Sequence, residues 1–314
     1  MINRRLPVLL LTLILSLSAV LAGCGSSADP APTTSAPPTT SAPATTPAPT
    51  TTPPPSTTPA PTTTPPPTTT VPPATTPTPT GLIADIINAS NAITTYTFNA
   101  TATTTTNVAG FSIAATSVTD GQFDLAANKA YLNTVVTAQG IETRVENYLV
   151  DNWTYIKYLA AFAPPGFNND TWYKIAMTAG EWQETWDNNS QADQNAALFN
   201  QATVTIIGSE VINGIDTYKI DLIPDKASFL AYIQAQGTTD AEDVANVEQA
   251  LQNITFTGWV AKNTSYMIKT EMSLTMTIEG VATQIQSVST ITNINQPVNI
   301  TLPAAALAAT VLAP

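Results

Sequence analysis

Apolar and polar residues alternate over long stretches of the chain from about residue 95 onward. The clearest run spans residues 266–278, where the apolar positions are Tyr266, Ile268, Met272, Leu274, Met276 and Ile278. Charged and hydroxyl side chains fill most of the positions between them. Because successive side chains of a strand point to opposite faces of its sheet, this pattern predicts a strand with one buried and one solvated face.

The same period predicts further strands on both sides of a helix-bearing middle. They are expected at 96–102, 111–115, 117–125, 129–138, 141–151, 153–159, 172–175, 204–206, 215–223, 254–262 and 281–294. Turn residues that tolerate positive φ separate several of them, at Ala127-Asn128, Gln139-Gly140, Asp151-Asn152 and Asn213-Gly214. Sequential strands of this length predict antiparallel meanders.

Apolar residues at helical spacing predict helices at 82–92, 191–202, 224–233 and 240–252, the last of these carrying Leu251. Trp182 and Trp186 are four residues apart, so on a helix they would share a face, and a contact with the sheet is expected there. The predicted fold class is α+β: a large curved antiparallel sheet with helices packed on its concave face. Nothing else in the chain can cover the apolar side of such a sheet.

The N-terminus has the layout of an export signal. Arg4 and Arg5 precede an apolar run from Leu6 to Val20, which is too short for a comfortable membrane span. The next residues, Leu21-Ala22-Gly23-Cys24, resemble the lipobox of bacterial lipoproteins. That resemblance implies cleavage before Cys24 and acylation of its thiol, by chains of the palmitate type. Residues 1–23 are therefore predicted to be a signal peptide, and Cys24 a lipid anchor to the outer side of a cell membrane.

Residues 24–80 are predicted to be a lipidated cysteine followed by a disordered tether. They consist almost entirely of Pro, Thr, Ala and Ser, and one eleven-residue sequence occurs at 45–55 and again at 57–67. Such a segment has nothing large to bury and favours polyproline II, so it acts as a semi-stiff spacer. Residues 81–314 form the remaining stretch, which is long enough for one sizeable core.

Composition excludes several kinds of chemistry. The chain contains no histidine and one cysteine, which removes Ser-His-Asp and Cys-His catalysis and histidine metal sites. The net charge of −12 gives no basic face for nucleic acid. The paired carboxylates Glu142 and Glu146 are expected on a solvated strand face. Asp240, Glu242 and Asp243 are expected at a helix N-terminus. We therefore predict a monomer that is not an enzyme and has no cofactor and no metal.

Aromatic residues and methionines of the predicted sheet are the candidates for a binding site. The predicted ligand-binding set is Tyr96, Phe98, Phe111, Ile113, Trp153, Tyr155, Trp172, Tyr218, Met272 and Met276. Ordinary packing of a large sheet is the competing interpretation for the same residues. The two interpretations differ in whether a cavity remains between sheet and helices.

Three stretches resemble the half-barrel lipoproteins and carriers of the LolA, LppX and LprG type. They are 148–157 with Trp172-Tyr173-Lys174, the hairpin region 208–220, and the strand-turn-strand 258–269. The resemblance covers most of residues 82–302. It implies an open half-barrel with an apolar cavity that takes acyl chains or lipidated proteins. Arg144 is the only arginine of the folded part, so the resemblance carries over no arginine-dependent release of lipid.

The sequence thus predicts an extracytoplasmic lipoprotein whose half-barrel binds or transports a hydrophobic ligand, with lipid acyl chains as the partner. The alternative is a surface structural or adhesion domain with a filled core and no ligand. A cavity of several hundred Å³ between sheet and helices would favour the first hypothesis.

Overall fold

A computed structural model describes residues 76–108, 111–160, 166–188, 202–235, 251–278 and 281–312, together with Pro164 and Phe199. The predicted signal peptide, Cys24 and nearly all of the tether lie outside these residues, as do most of the predicted helices at 191–202 and 240–252. Among the described helices, none is long and apolar enough to cross a membrane.

Strands dominate the part of the chain that the structure describes. They are β1 Thr95–Val108, β2 Phe111–Asp124, β3 Lys129–Ala138, β4 Ile141–Val150, β5 Trp153–Ala160, β6 Trp172–Ala176, β7 Thr203–Ile212, β8 Ile215–Ile223, β9 Leu251–Ala261, β10 Met267–Ile278, β11 Val281–Thr292 and β12 Thr310–Leu312. The helices are α1 Pro79–Ser90, α2 Ala179–Asn188, α3 Lys226–Ala235 and α4 Ala304–Leu307.

All twelve of these strands belong to one sheet, in the order β12-β6-β5-β4-β3-β2-β1-β11-β10-β9-β8-β7. Neighbours pair antiparallel except β12, which is parallel to β6. Two meanders meet where β1 pairs with β11, from Thr97 opposite Thr292 to Asn107 opposite Ala282. The sheet is open, with β12 and β7 at its edges. The predicted half-barrel of α+β class is confirmed.

Tight turns connect the meander strands as the sequence predicts. Asn128, Gln139, Asp151 and Asn213 all have positive φ, between 50° and 53°. Gly140 and Gly214 follow two of them with φ of 78° and 81°. Successive positive φ values match the twist of paired strands, which is why Asn-Gly and Gln-Gly suit these positions.

The two faces of the sheet differ in what covers them. We call the face that contacts α1, α2 and α3 the inner face, and the opposite one the outer face. Leu82 and Ile86 of α1 and Phe229 of α3 pack against Leu274 and its neighbours on the inner face. Thr78 caps α1 by accepting a hydrogen bond from the Gly81 backbone N–H at 3.2 Å.

The structure differs from the sequence prediction in two places. Leu251 begins β9 rather than ending a helix. Its backbone lies opposite Met276 of β10, and its side chain is buried in the inner-face core. The apolar tail from residue 302 has no predicted element, yet it forms α4 and β12. A three-residue strand carries no periodic signal of its own, since its pairing with β6 depends on a partner far away in sequence.

Candidate functional site

The inner face of β2–β5 carries apolar side chains that no described element fully buries. We call these residues the apolar strip: Ile113, Val136, Ile141, Val145 and Ile156. Strand register places them on the same face as the buried core, because Val145 lies opposite Thr134 and Ile156 opposite Asn147. None of the five belongs to a buried cluster of the described residues.

The strip is most exposed where the β1–β2 and β3–β4 hairpins turn. Phe111, Ile113 and Ile141 have 76%, 42% and 48% of their surface exposed. All three follow the inner-face alternation of their strands. Large apolar side chains left exposed together typically mark a site where something else binds.

Three aromatic rings close the strip on the β6 side. Phe167 lies edge-on to Tyr158 at 4.8 Å and to Tyr173 at 5.0 Å between ring centroids. The Asn168 backbone N–H donates to the Tyr173 hydroxyl at 2.7 Å. Burial raises the pKa of Tyr158 above its ordinary value, so its hydroxyl stays neutral at physiological pH. This side of the strip is therefore uncharged and partly shielded from water.

Buried polar atoms without partners lie beside the strip and along the centre of the inner face. Among the described residues, the Asn147 amide oxygen, the Thr104 and Ser289 hydroxyls and the Trp186 indole nitrogen have no hydrogen-bond partner. Asn147 lies opposite Ile156 of the strip. Leaving a buried polar atom unpaired costs about 1–3 kcal/mol, so these atoms would gain from a ligand or water that carries a polar group.

Beyond β11, the inner face is a filled core. Side chains of α1, α3 and β8–β11 form one cluster, in which Ile220, Leu274 and Phe229 are completely buried. The space left between Phe199, Phe256 and Met267 is about 10 Å³. That is roughly the volume needed for a single water molecule. Among the residues that the structure describes, this space between Phe199, Phe256 and Met267 is too small for an acyl chain.

The structure divides the sequence-predicted ligand set into four groups. Tyr96 and Phe98 are buried in a central cluster with Phe123 and Trp186. Met272 and Met276 are buried in the filled core, with Tyr218 packed against it. Phe111 and Ile113 lie at the exposed end of the apolar strip. The remaining group, Trp153, Tyr155 and Trp172, lies on the outer face.

The C-terminal segment packs over the outer-face group, and no sequence pattern predicted this contact. Tyr148, Tyr155 and Trp172 are buried beneath Ala306 and Ala309 of the C-terminal segment. Lysines lie over two indole rings: Lys157 over Trp172 at 5.0 Å and Lys174 over Trp153 at 5.1 Å. These contacts make the outer-face aromatics a second small core on the opposite side of the strip.

Apart from Ile113, the strip residues were not predicted as a site, because they carry weak signals. Val136, Val145 and Ile156 alternate correctly in their strands, but aliphatic residues in a strand are expected in any core. Only the incomplete burial of these side chains distinguishes them, and that depends on which helices reach them. Phe111 and Ile113 were predicted because they are large apolar residues of the alternating strand at 111–115.

Two carboxylates of β4 on the outer face, Glu142 and Glu146, are paired with cations. Glu142 contacts Arg144 at 3.8 Å, and Glu146 contacts Lys157 at 3.3 Å. Within the described residues, no cluster of three or more Asp, Glu, Cys or His side chains could hold a metal ion. Both carboxylates are thus accounted for by ion pairs along strand β4 and its neighbour.

Solved structures similar to this chain include two mycobacterial proteins. Lipoprotein LppX from Mycobacterium tuberculosis is 17% identical, with 70% of this chain and 98% of LppX covered and a TM-score of 0.37. LprF from Mycobacterium bovis is 16% identical, with 72% and 97% covered and a TM-score of 0.40. A LolA superfamily protein from Nitrosomonas europaea is 10% identical, with 72% and 96% covered and a TM-score of 0.20. LppX and the LolA superfamily are among the names that the sequence resemblance gave.

The strands that the structure describes form one open, mainly antiparallel sheet with helices on its inner face. The chain belongs to the family of unknown function DUF6612, whose model matches residues 78–311. A comparison with curated proteins gave no match.

Proposed function

We propose that this protein is a lipid-anchored extracytoplasmic lipoprotein that binds acyl chains along the apolar strip. The observation that carries the proposal is the incomplete burial of Ile113, Val136, Ile141, Val145 and Ile156 on the face that elsewhere forms the core. An acyl chain lying across β2–β5 would complete this burial. Each buried CH₂ group would contribute about 0.8 kcal/mol before the costs of association.

The polar part of the ligand would lie near Asn147. Its buried amide oxygen accepts no hydrogen bond from the described residues, so a hydroxyl or amide N–H of the ligand would satisfy it. The strip residues carry no charge, which favours a neutral linkage there over a free phosphate. Phe111, 76% exposed at the end of the strip, would be the first contact for an arriving chain.

In this proposal, Cys24 holds the protein at the membrane and the Pro/Thr segment lets the domain move between the membrane and its surroundings. Two or more acyl chains on Cys24 would give stable anchoring, whereas a single chain binds only marginally. The ligand-binding domain would then act close to the surface from which it takes or receives lipid.

The test is native mass spectrometry of the chain from Gly25 onward, purified without detergent, with organic extraction of bound material. Wild type is expected to carry lipid in stoichiometric amount. Val145→Asn and Ile156→Asn place a polar amide on the strip and are expected to reduce bound lipid at least about tenfold, since each removes apolar contact and adds desolvation cost. Val288→Asn is the matched control, because Val288 is 40% exposed on the outer face.

A clean mass without lipid, unchanged by added phospholipid or fatty acid, would show that the strip binds no acyl chain. The second candidate, a surface structural or adhesion domain, would then be preferred. The filled core between α1, α3 and β8–β11 favours that candidate, because its residual space of about 10 Å³ is what a module without a ligand needs.

A further inference from the structure

A groove of about 270 Å³ crosses the outer face of the sheet. Unlike the apolar strip, it is lined mostly by residues with polar groups in their side chains. It lies where β11, β1, β2 and β3 pair side by side. Its lining residues are Thr97, Phe98, Asn99, Asp120, Gly121, Gln122, Tyr131, Thr290 and Thr292. Most of these bear hydroxyl, amide or carboxylate groups, so the groove presents both donors and acceptors of hydrogen bonds.

We propose that this groove binds a neutral saccharide, with Asn99 and Asp120 recognising neighbouring hydroxyl groups of one sugar ring and Tyr131 contacting its face. This site is separate from the proposed acyl-chain site, because the two occupy opposite faces of the sheet.

Asn99 and Asp120 form a pre-organised polar pair in the groove. The Asn99 side-chain amide donates to one Asp120 carboxylate oxygen at 2.8 Å. Asn99 keeps its own carbonyl oxygen and a second N–H, and Asp120 keeps its second oxygen. Neighbouring hydroxyls of a sugar ring each donate and accept, so they match planar side chains that offer both kinds of group side by side.

Hydroxyl groups of paired threonines extend the groove beyond this pair. The Thr97 and Thr292 hydroxyls lie 2.8 Å apart, and the Asn293 side-chain amide donates to Thr97 at 3.1 Å. Because these contacts fix the threonine side chains, little conformational freedom is lost when a ligand binds. The polar surface is therefore rigid before the ligand arrives.

Tyr131 forms the aromatic side of the groove. Its ring lies 4.6 Å from that of Tyr148, which is itself buried under the C-terminal segment. Burial raises the pKa of Tyr131, as do the carboxylates of Glu146 and Asp120, so its hydroxyl stays protonated. Because the Tyr131 ring packs against Tyr148, it can offer an apolar face and a polar hydroxyl edge to the same ligand.

The lining excludes other ligand classes. No Lys or Arg lines the groove, so phosphate, sulfate and acidic sugars would meet the Asp120 carboxylate without a counter-charge. Asp120 is the single carboxylate in the lining, which is too few for a calcium or magnesium site. A neutral polyhydroxylated ring fits each of these constraints.

The test is binding of the full-length protein, held in phospholipid nanodiscs, to an array of neutral, N-acetylated and acidic oligosaccharides, followed by calorimetry with the best ligand. Binding to a neutral or N-acetylated oligosaccharide is expected. Asn99→Ala is expected to weaken it at least about tenfold, since two hydrogen bonds are lost. Gln122→Ala, as a second variant in the lining, is expected to weaken it less.

Asn107→Ala is the matched control, because Asn107 is an exposed asparagine on the same face of β1 but does not line the groove. It is expected to bind like wild type. The proposal is overturned if wild type binds no neutral saccharide, if only acidic saccharides bind, or if Asn99→Ala and Gln122→Ala both retain wild-type affinity. Circular dichroism of each variant checks that a loss of binding does not come from unfolding.

Discussion

The two halves of the inner face have the same strand architecture but opposite degrees of filling. On β8–β11 the side chains of Ile220, Leu274 and Met276 are at most 1% exposed, beneath α1 and α3. On β2–β5 the apolar strip is half-buried or exposed. An identical alternation of apolar and polar residues has therefore produced a solid core in one half and an accessible apolar surface in the other.

The difference indicates that the strands of the strip are held by packing on their outer face rather than by packing on the inner face. Strand β4 carries Val145 and Asn147 inward, while Tyr148 and Val150 are buried outward under the C-terminal segment. In the proposed function the strip stays open for a ligand, so helices on its own side do not pack it. Packing on the reverse side of the same strands holds it in shape, as a binding site on rigid elements requires.

The largest expected effect comes from truncating a side chain in the filled half. Leu274→Ala is expected to lower the free energy of unfolding by about 3 kcal/mol, because Leu274 is completely buried and the change leaves a cavity. Val145→Ala on the strip is expected to cost under about 1 kcal/mol, since its methyl groups are only half-buried. Urea denaturation of both variants measures the two values. Equal losses would mean that the two halves are packed alike.

A smaller loss of stability is expected from a change at Gly121 of β2, which lies opposite Phe98 of β1. A Cβ atom on Gly121 would overlap the Phe98 ring, which must then move. Gly121→Ala is expected to cost about 1–3 kcal/mol in urea denaturation. Gly208→Ala is the matched control on β7, because a Cβ atom added to Gly208 would meet no other atom within 4 Å. Similar stability of the two variants would show that the Phe98 ring is not fixed.

Local signals in the sequence were enough to predict most of the sheet. Asn128, Gln139 and Asn213 mark turns by tolerating positive φ, and alternation defines the strands between them. The pairing of β1 with β11 was not predictable, since it joins residues such as Thr97 and Thr292 across most of the domain. The face of the sheet on which Trp172 lies was not predictable either, because alternation alone does not say which face the helices cover.

The proposed binding site was predictable only in part, for the same reason. Phe111 and Ile113 stand out by size beside a turn, and the structure places them at the open end of the strip. Met272 and Met276 carry the same apolar signal but lie in the filled core. Whether an inward side chain becomes core or site depends on coverage by helices that are remote in sequence, which no local pattern records.

The smallest expected effect concerns the packing behind the strip and its dependence on pH. Burial raises the pKa of Tyr148 to about 12, and the neighbouring Tyr131 and Glu146 add to the shift. The folded state thus favours the neutral phenol, while the unfolded chain ionises near pH 10. The stability that Tyr148 contributes is complete below pH 10 and is lost as the pH rises towards 12. At pH 11 the loss amounts to about 1 kcal/mol relative to pH 8, once screening by solvent is allowed for.

Tyr148→Phe separates this contribution from those of the other tyrosines, because phenylalanine keeps the ring in place and cannot ionise. The difference between wild type and Tyr148→Phe in urea denaturation is expected to change between pH 8 and pH 11, with wild type losing more. Val145, on the reverse side of the same strand, reports whether the strip is affected: acyl-chain binding is expected to weaken over the same pH interval in wild type and less in Tyr148→Phe. An identical pH response of the two proteins would mean that the outer-face cluster does not support the strip.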